Sequence, residues 1–250
     1  MDKKWLGNLK VDVLGSKEAI TYIKEKLEKK IASDIFFLND HGYNIAQKDS
    51  EYRDMLNNAD LLLNDGIGIE MGAKLFGFSF KENLNGTDFI PALFESLNEE
   101  KSNQYRVFLL GAKPGIAQKA QERLQETYKN ILFVGNQDGY FPKENTDRII
   151  HQINESKADI LLVGFGMPLQ ERWIREHRSK VKSTITMAVG AFIDFSSGEV
   201  VRAPKIFRDL RLEWLYRMGK EPRRLWKRNV VGHASFFYSI FKQRKRKTSK

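Results

Sequence analysis

Residues 59–76 read ADLLLNDGIGIEMGAKLF: an apolar run that stops at a polar pair, turns through two glycines and resumes as helix-forming sequence. Leu61, Leu62 and Leu63 are consecutive rather than alternating with polar residues. Such a run predicts a strand covered on both faces, the habit of parallel sheets packed between helices. Asn64 and Asp65 then fall at the carboxyl end of the strand, and Gly66 and Gly68 allow a sharp turn into a helix over 67–76.

The same unit recurs along the chain. Apolar or β-rich runs at 35–39, 106–111, 131–135, 159–166 and 184–191 join 59–65 as predicted strands. Amphipathic segments at 16–30, 43–57, 87–98, 115–128, 143–156 and 169–179 join 67–76 as predicted helices, the first with Ser16 as cap and Glu18 in its opening turn. Alternation of this kind predicts right-handed crossovers and a Rossmann-like α/β fold, with a mainly parallel sheet and helices on both faces. At 250 residues and 41% hydrophobic content, the chain can fill one substantial core.

After Gly198 the pattern changes. Residues 200–250 hold 16 Lys and Arg against three acids (Asp209, Glu213 and Glu221), whereas residues 1–199 hold 26 basic against 29 acidic. The net charge of +10 therefore comes from the tail, and the body is nearly neutral. The division predicts a body over 1–199 and a basic, aromatic-rich helical appendage over 200–250. The charge run 243–250 is expected to fray. A basic patch of this size attracts polyanions, whether an anionic membrane surface, nucleic acid or a phosphorylated substrate.

Several chemistries are not indicated. The chain has no cysteine, so disulfides and thiolate metal sites are excluded. His41, His151, His177 and His233 show no ligand spacing, and there is no Asp-x-Asp pair to hold a divalent ion against a diphosphate. Neither a metal nor a cofactor is expected. No run approaches the roughly 20 apolar residues of a membrane span, and the amino terminus lacks the apolar stretch of a signal peptide, so a cytoplasmic location is expected.

Ligands of an open parallel sheet bind outside the carboxyl ends of its strands, so the residues ending each apolar run are the candidates. They are Asn39-Asp40-His41, Asn64 to Gly68, Gly111 to Gly115 and Gly164 to Glu171; Asn136 to Tyr140 ends another strand and reads as a turn by default, with contact to the donor as the alternative. Asp65 can serve as a general base that accepts a hydroxyl proton, or can simply cap the helix that follows. Gln170 and Glu171, just after Pro168, can meet a nucleobase or sugar hydroxyls, or form an ordinary exposed first turn. The glycines of residues 66–72 also suggest a dinucleotide fingerprint, but the third is one residue late and no acid closes a following strand.

Together these strings resemble the WecG/TagA/CpsF family of glycosyltransferases (glycosyltransferase family twenty-six) from about residue 35 to 230. The resemblance is carried by Asn64 to Gly68, Asn85-Gly86-Thr87-Asp88, Gly111-Ala112-Lys113, Asp138-Gly139-Tyr140, Gly164 to Glu171, Val189 to Asp194, Arg202-Ala203-Pro204, Leu212 to Arg217 and Glu221 to Leu225. It implies an inverting, metal-independent transferase of bacterial cell-surface polysaccharide or teichoic acid synthesis. Such an enzyme moves a hexose or N-acetylhexosamine, such as N-acetylmannosamine, from a UDP-sugar to an undecaprenyl-diphosphate-linked sugar at the inner face of the cell membrane.

By that resemblance Asp65 is the catalytic base. Asn39, Asn64, Gly66, Asn85, Thr87, Asp88, Gly111, Lys113, Gln137, Asp138, Gly164, Gly166, Gln170, Glu171 and Asp194 are expected around the substrates. Arg217, Arg223, Arg224 and Arg228 are expected at the lipid diphosphate and the anionic membrane surface. Two positions depart from the family pattern: Phe37-Leu38-Asn39 where many members have Thr-x-Asn, and Asn83 where many have Arg. Two other readings compete, a nicotinamide-dependent oxidoreductase and a nucleic-acid-binding α/β protein. The transferase reading expects no nucleic-acid partner and leaves assembly into a homo-oligomer open.

Overall fold

A computed structural model describes residues 2–200, 202–204, 207, 216, 218–219 and 231–248, with side chains to residue 245. Its centre is a six-stranded, wholly parallel sheet. The strands are β3 (Ser33–Leu38), β4 (Leu61–Asn64), β5 (Arg106–Gly111), β6 (Leu132–Gln137), β7 (Ile160–Gly164) and β8 (Ile185–Ala188), in spatial order β4-β3-β8-β7-β5-β6. The middles of β4, β5 and β7 (61–63, 107–110 and 160–163) are apolar because both faces are covered, whereas β6 at the sheet edge is mostly half-buried and ends in Asn136 and Gln137. Ile35 and Phe37, Leu61 and Leu63, and Val107 and Leu109 point into one core; Phe36 and Leu38, Leu62, and Phe108 and Leu110 point into the other.

The first core lies under α1 (Ser16–Lys29), α5 (Gly86–Asn98), α6 (Ile116–Thr127) and α9 (Phe192–Ser197). The second lies under α2 (Asp40–Lys48), α3 (Ser50–Asn57), α4 (Ile67–Leu75), α7 (Thr146–Glu155), α8 (Leu169–His177) and α10 (Gly232–Thr248). A short 3-10 turn, Lys143–Asn145, leads into α7.

Four local expectations are corrected. The residue capping α1 is Gly15, whose N–H donates to Glu18 Oε2 at 2.7 Å; Ser16 is the first helical residue. The segment 43–57 is two helices, because Asp49 ends α2 in an extended conformation and its Oδ1 accepts the Tyr52 N–H at 2.9 Å to start α3. An amino-terminal hairpin, β1 (Lys3–Leu6) with β2 (Leu9–Asp12), was not anticipated. It shields the β4 edge: the buried Asp12 accepts the Leu62 N–H at 2.9 Å, and Lys3 Nζ lies 3.3 Å from the same carboxylate.

The fourth correction is the carboxyl terminus, where α10 runs to Thr248 instead of fraying from 243. It lies across α2 and α4. Phe236 and Ile240, one helical turn apart, are fully buried; Phe236 stacks edge-on against Tyr43, and both side chains meet Gly72 at close range. Gln243 hydrogen-bonds Gln47. Among the described residues no helix is long and apolar enough to cross a membrane.

Candidate active site

A wide cleft of about 1440 Å³ opens across the carboxyl ends of the strands. It is the position an open parallel sheet dictates. Of the residues expected around the substrates, Asn39, Asp65, Gly66, Asn85, Thr87, Asp88, Lys113, Gly164, Gly166, Gln170 and Asp194 line it. Asn64, Gly111, Gln137, Asp138 and Glu171 are not among its lining residues. Arg217, Arg223, Arg224 and Arg228 lie outside the described residues.

One wall is the β3–β4 side. Asp65 continues β4 by donating its N–H to Leu38 O at 2.8 Å, and its half-buried side chain borders the cleft. Gly66 follows with φ +96° and open space where a Cβ would stand, so backbone conformation rather than crowding calls for glycine. The turn is laced to the loop before α5. Asn83 Oδ1 accepts the Gly66 N–H at 2.9 Å, the Asn64 amide donates to Glu82 O at 2.9 Å, and the Leu84 N–H donates to Asn64 O at 3.1 Å. Asn64 is fully buried, which makes it the strut behind Asp65 rather than a group on the cleft surface.

Both departures from the family pattern have a structural part here. Asn83 holds the backbone beside Asp65. Phe37 packs edge-on against Phe89 with ring centroids 6.2 Å apart and forms apolar cleft floor beside Gly86.

Two asparagines at the rim are helix caps. Asn39 Oδ1 accepts the Gly42 N–H at 3.0 Å to start α2, and Asn85 Oδ1 accepts the Asp88 N–H at 3.0 Å to start α5. Asp88 in turn meets Arg202 at 2.8 Å, which ties the chain just beyond the body to the cleft rim.

The opposite wall is the β7–β8 side. Gly111, at φ +142°, packs so tightly on β7 that a Cβ would stand 2.5 Å from Gly164 O. Its place is the seam between strand ends. Gln170 is fully buried; its Oε1 accepts N–H groups from Gly166 at 3.1 Å and Gly190 at 3.0 Å, and its Nε2 donates to Glu171 Oε1 at 2.7 Å. Glu171 is sealed behind it beside the Tyr52 hydroxyl, and burial pushes its carboxyl up to about 7. Gln137 and Asp138 close a turn, with the Tyr140 N–H donating to Asp138 Oδ1 at 2.8 Å.

Sequence reasoning missed cleft-lining residues on both sides, among them Lys81, Lys143, Arg172, Trp173 and His233. Lys143 follows the β6 end by six residues, a signal available from strand-end logic alone. His233, at the start of α10, pairs with Asp40 at the start of α2, and the Asn44 amide donates to Gly232 O at 2.7 Å beside it. Nothing in the local sequence points across those 190-odd residues. Among the described residues, no group of three His, Asp or Glu is arranged to hold a metal ion.

These features define a Rossmann-like α/β protein with a cleft of mixed polar and apolar lining at the ends of its strands. The profile of the glycosyl transferase WecG/TagA/CpsF family matches residues 4–250. A relative from Bacillus subtilis (strain 168) is 30% identical over 224 residues, covering 90% of this chain and 85% of its own. Another from Staphylococcus aureus (strain MW2) is 30% identical over 246 residues, covering 95% of this chain and 94% of its own. Both are named N-acetylglucosaminyldiphosphoundecaprenol N-acetyl-beta-D-mannosaminyltransferase. The chain belongs to the WecG/TagA/CpsF family and is a glycosyltransferase.

Proposed function

We propose that this enzyme transfers N-acetylmannosamine, or a closely related hexose or N-acetylhexosamine, from its UDP donor to N-acetylglucosamine carried on undecaprenyl diphosphate, with inversion and without a metal. The single observation that carries the reading is Asp65: a half-buried carboxylate on the cleft wall, on a strand end braced from behind, in a chain of this family. Asp65 takes the proton of the acceptor hydroxyl as its oxygen attacks the anomeric carbon; the bond from that carbon to the UDP oxygen breaks, and UDP leaves with its charge.

Stabilising that charge falls to cations and N–H dipoles. Lys113 borders the cleft, and α2, α4 and α8 begin at strand ends along it, with their positive ends toward it. Arg217, Arg223, Arg224 and Arg228 are the sequence-based candidates to grip the lipid diphosphate.

The body over 1–199 would then carry the chemistry and 200–250 would present it to an anionic membrane surface. The solvent side of α10 supports this division, since Tyr238 and Phe241 are exposed there alongside Lys242 and Lys245. The testing experiment offers a panel of UDP-sugars with a short-chain lipid-diphosphate N-acetylglucosamine and follows UDP release. UDP-N-acetylmannosamine is expected to turn over fastest, with release dependent on acceptor. Acceptor-independent release, or none with any donor, would overturn the assignment.

A further inference from the structure

The described structure holds one buried polar chain that the proposed reaction does not use. It starts at Glu171, passes through Gln170 at the start of α8, and ends on the N–H groups of Gly166 and Gly190. Gly166 follows β7 and Gly190 follows β8, so one amide oxygen clamps two loops that both line the cleft. Gln170 and Glu171 are each fully buried although they occupy the first turn of a helix, where acids usually face solvent.

An amide can satisfy both glycine N–H groups only when its oxygen, not its nitrogen, faces them. What fixes that orientation is the acceptor on the other side, Glu171 Oε1 at 2.7 Å from Nε2. Without that acceptor, the Gln170 NH2 would lose its buried partner, and a flipped amide would aim donors at donors. The Tyr52 hydroxyl adjoins the same carboxyl, and Gly42, which would place a Cβ 3.4 Å from that hydroxyl and 3.2 Å from Met167 Sδ, lets α2 and the β7 loop close over it.

We propose that Glu171 is a positioning residue that acts through Gln170: it fixes the Gln170 amide so that the loops after β7 and β8 hold one spacing across the cleft. This rests on the transferase reading, in which those loops face the sugar nucleotide, and it assigns Gln170 a clamping role rather than a direct substrate contact. A misplacement of an ångström in such a wall is enough to lower turnover by one or two orders of magnitude.

The test exchanges donor and acceptor in the full-length chain. Gln170→Glu alone sets two carboxyls against each other and is expected to lower kcat at least tenfold. Adding Glu171→Gln restores one acceptor for the glycine N–H groups and one donor behind it, so the double variant is expected to recover most of the lost kcat, with KM for the donor sugar within about threefold of the original. A purely structural role would move Tm without this reciprocal rescue. A double variant that keeps the original Tm yet is no more active than Gln170→Glu overturns the proposal, as does a Gln170→Glu variant with undiminished kcat. Transfer by the unaltered chain is the control: its absence counts against the transferase reading, whereas failure confined to the swap counts against the clamp.

Discussion

At the β3–β4 wall the decisive carboxylate, Asp65, is half-buried and borders the cleft; at the β7–β8 wall the corresponding polar groups, Gln170 and Glu171, are sealed completely. The first wall holds its turn with side chains that reach backbone from a neighbouring loop, Asn83 to Gly66 and Asn64 to Glu82. The second holds two loops with one internal amide. A group that must exchange a proton with a substrate needs access, while groups that only fix geometry gain from a dry surrounding in which their hydrogen bonds are stronger. The two walls therefore separate reacting from bracing by exposure.

A third surface, the α10 helix, meets the cleft through His233 and meets the core through Phe236. Phe236→Ala should cost about 3–5 kcal/mol of stability by opening a cavity against Tyr43 and Gly72, read as a loss in the denaturant midpoint. A loss below 1 kcal/mol would mean that α10 is only lightly held, and that the two walls stand without it.

The sealed wall should also show itself in pH dependence. Glu171 holds its proton more tightly folded, up to about 7, than unfolded, where the ordinary value is near 4.5. Its contribution to stability is complete below the unfolded value and declines as pH rises toward 7. Glu171→Gln should flatten that part of the stability profile, measured by denaturant titration between pH 4.5 and 7.5. An unchanged slope would place the carboxyl in contact with water and erase the contrast between the walls.

The smallest expected effect lies behind Asp65. Asn83→Ala removes one acceptor from the Gly66 N–H and should cost about 1 kcal/mol of stability. Turnover should fall by more than that stability change alone would suggest, since the turn carrying Asp65 loosens. Equal kcat in the variant would show that the lacing serves stability only.

Much of this was legible in the chain because burial wrote it there. The strand middles 107–110 and 160–163 are unbroken apolar runs, and the residues that follow such runs named most of the cleft. The burial of Glu171 was not legible, because an acid in a first helical turn reads as exposed, and what buries it is packing against distant elements, Tyr52 of α3 among them. The break at Asp49 was available as an Asp-Ser pair that caps a new helix, yet the helical period continues across it. Phe236 and Ile240 sit at helical spacing toward the body, but the basic run that follows them dominated the reading. The hairpin at 3–12 escaped because four-residue strands carry too few residues for a period to register.

The most direct measurement is the rate of sugar transfer by Asp65→Asn in the full-length chain at saturating donor and acceptor. The carboxamide keeps the size of the side chain and removes its basicity, so kcat should drop by about a hundredfold or more while Tm moves by no more than a degree or two. A variant that folds normally and transfers sugar at the original rate would contradict the account.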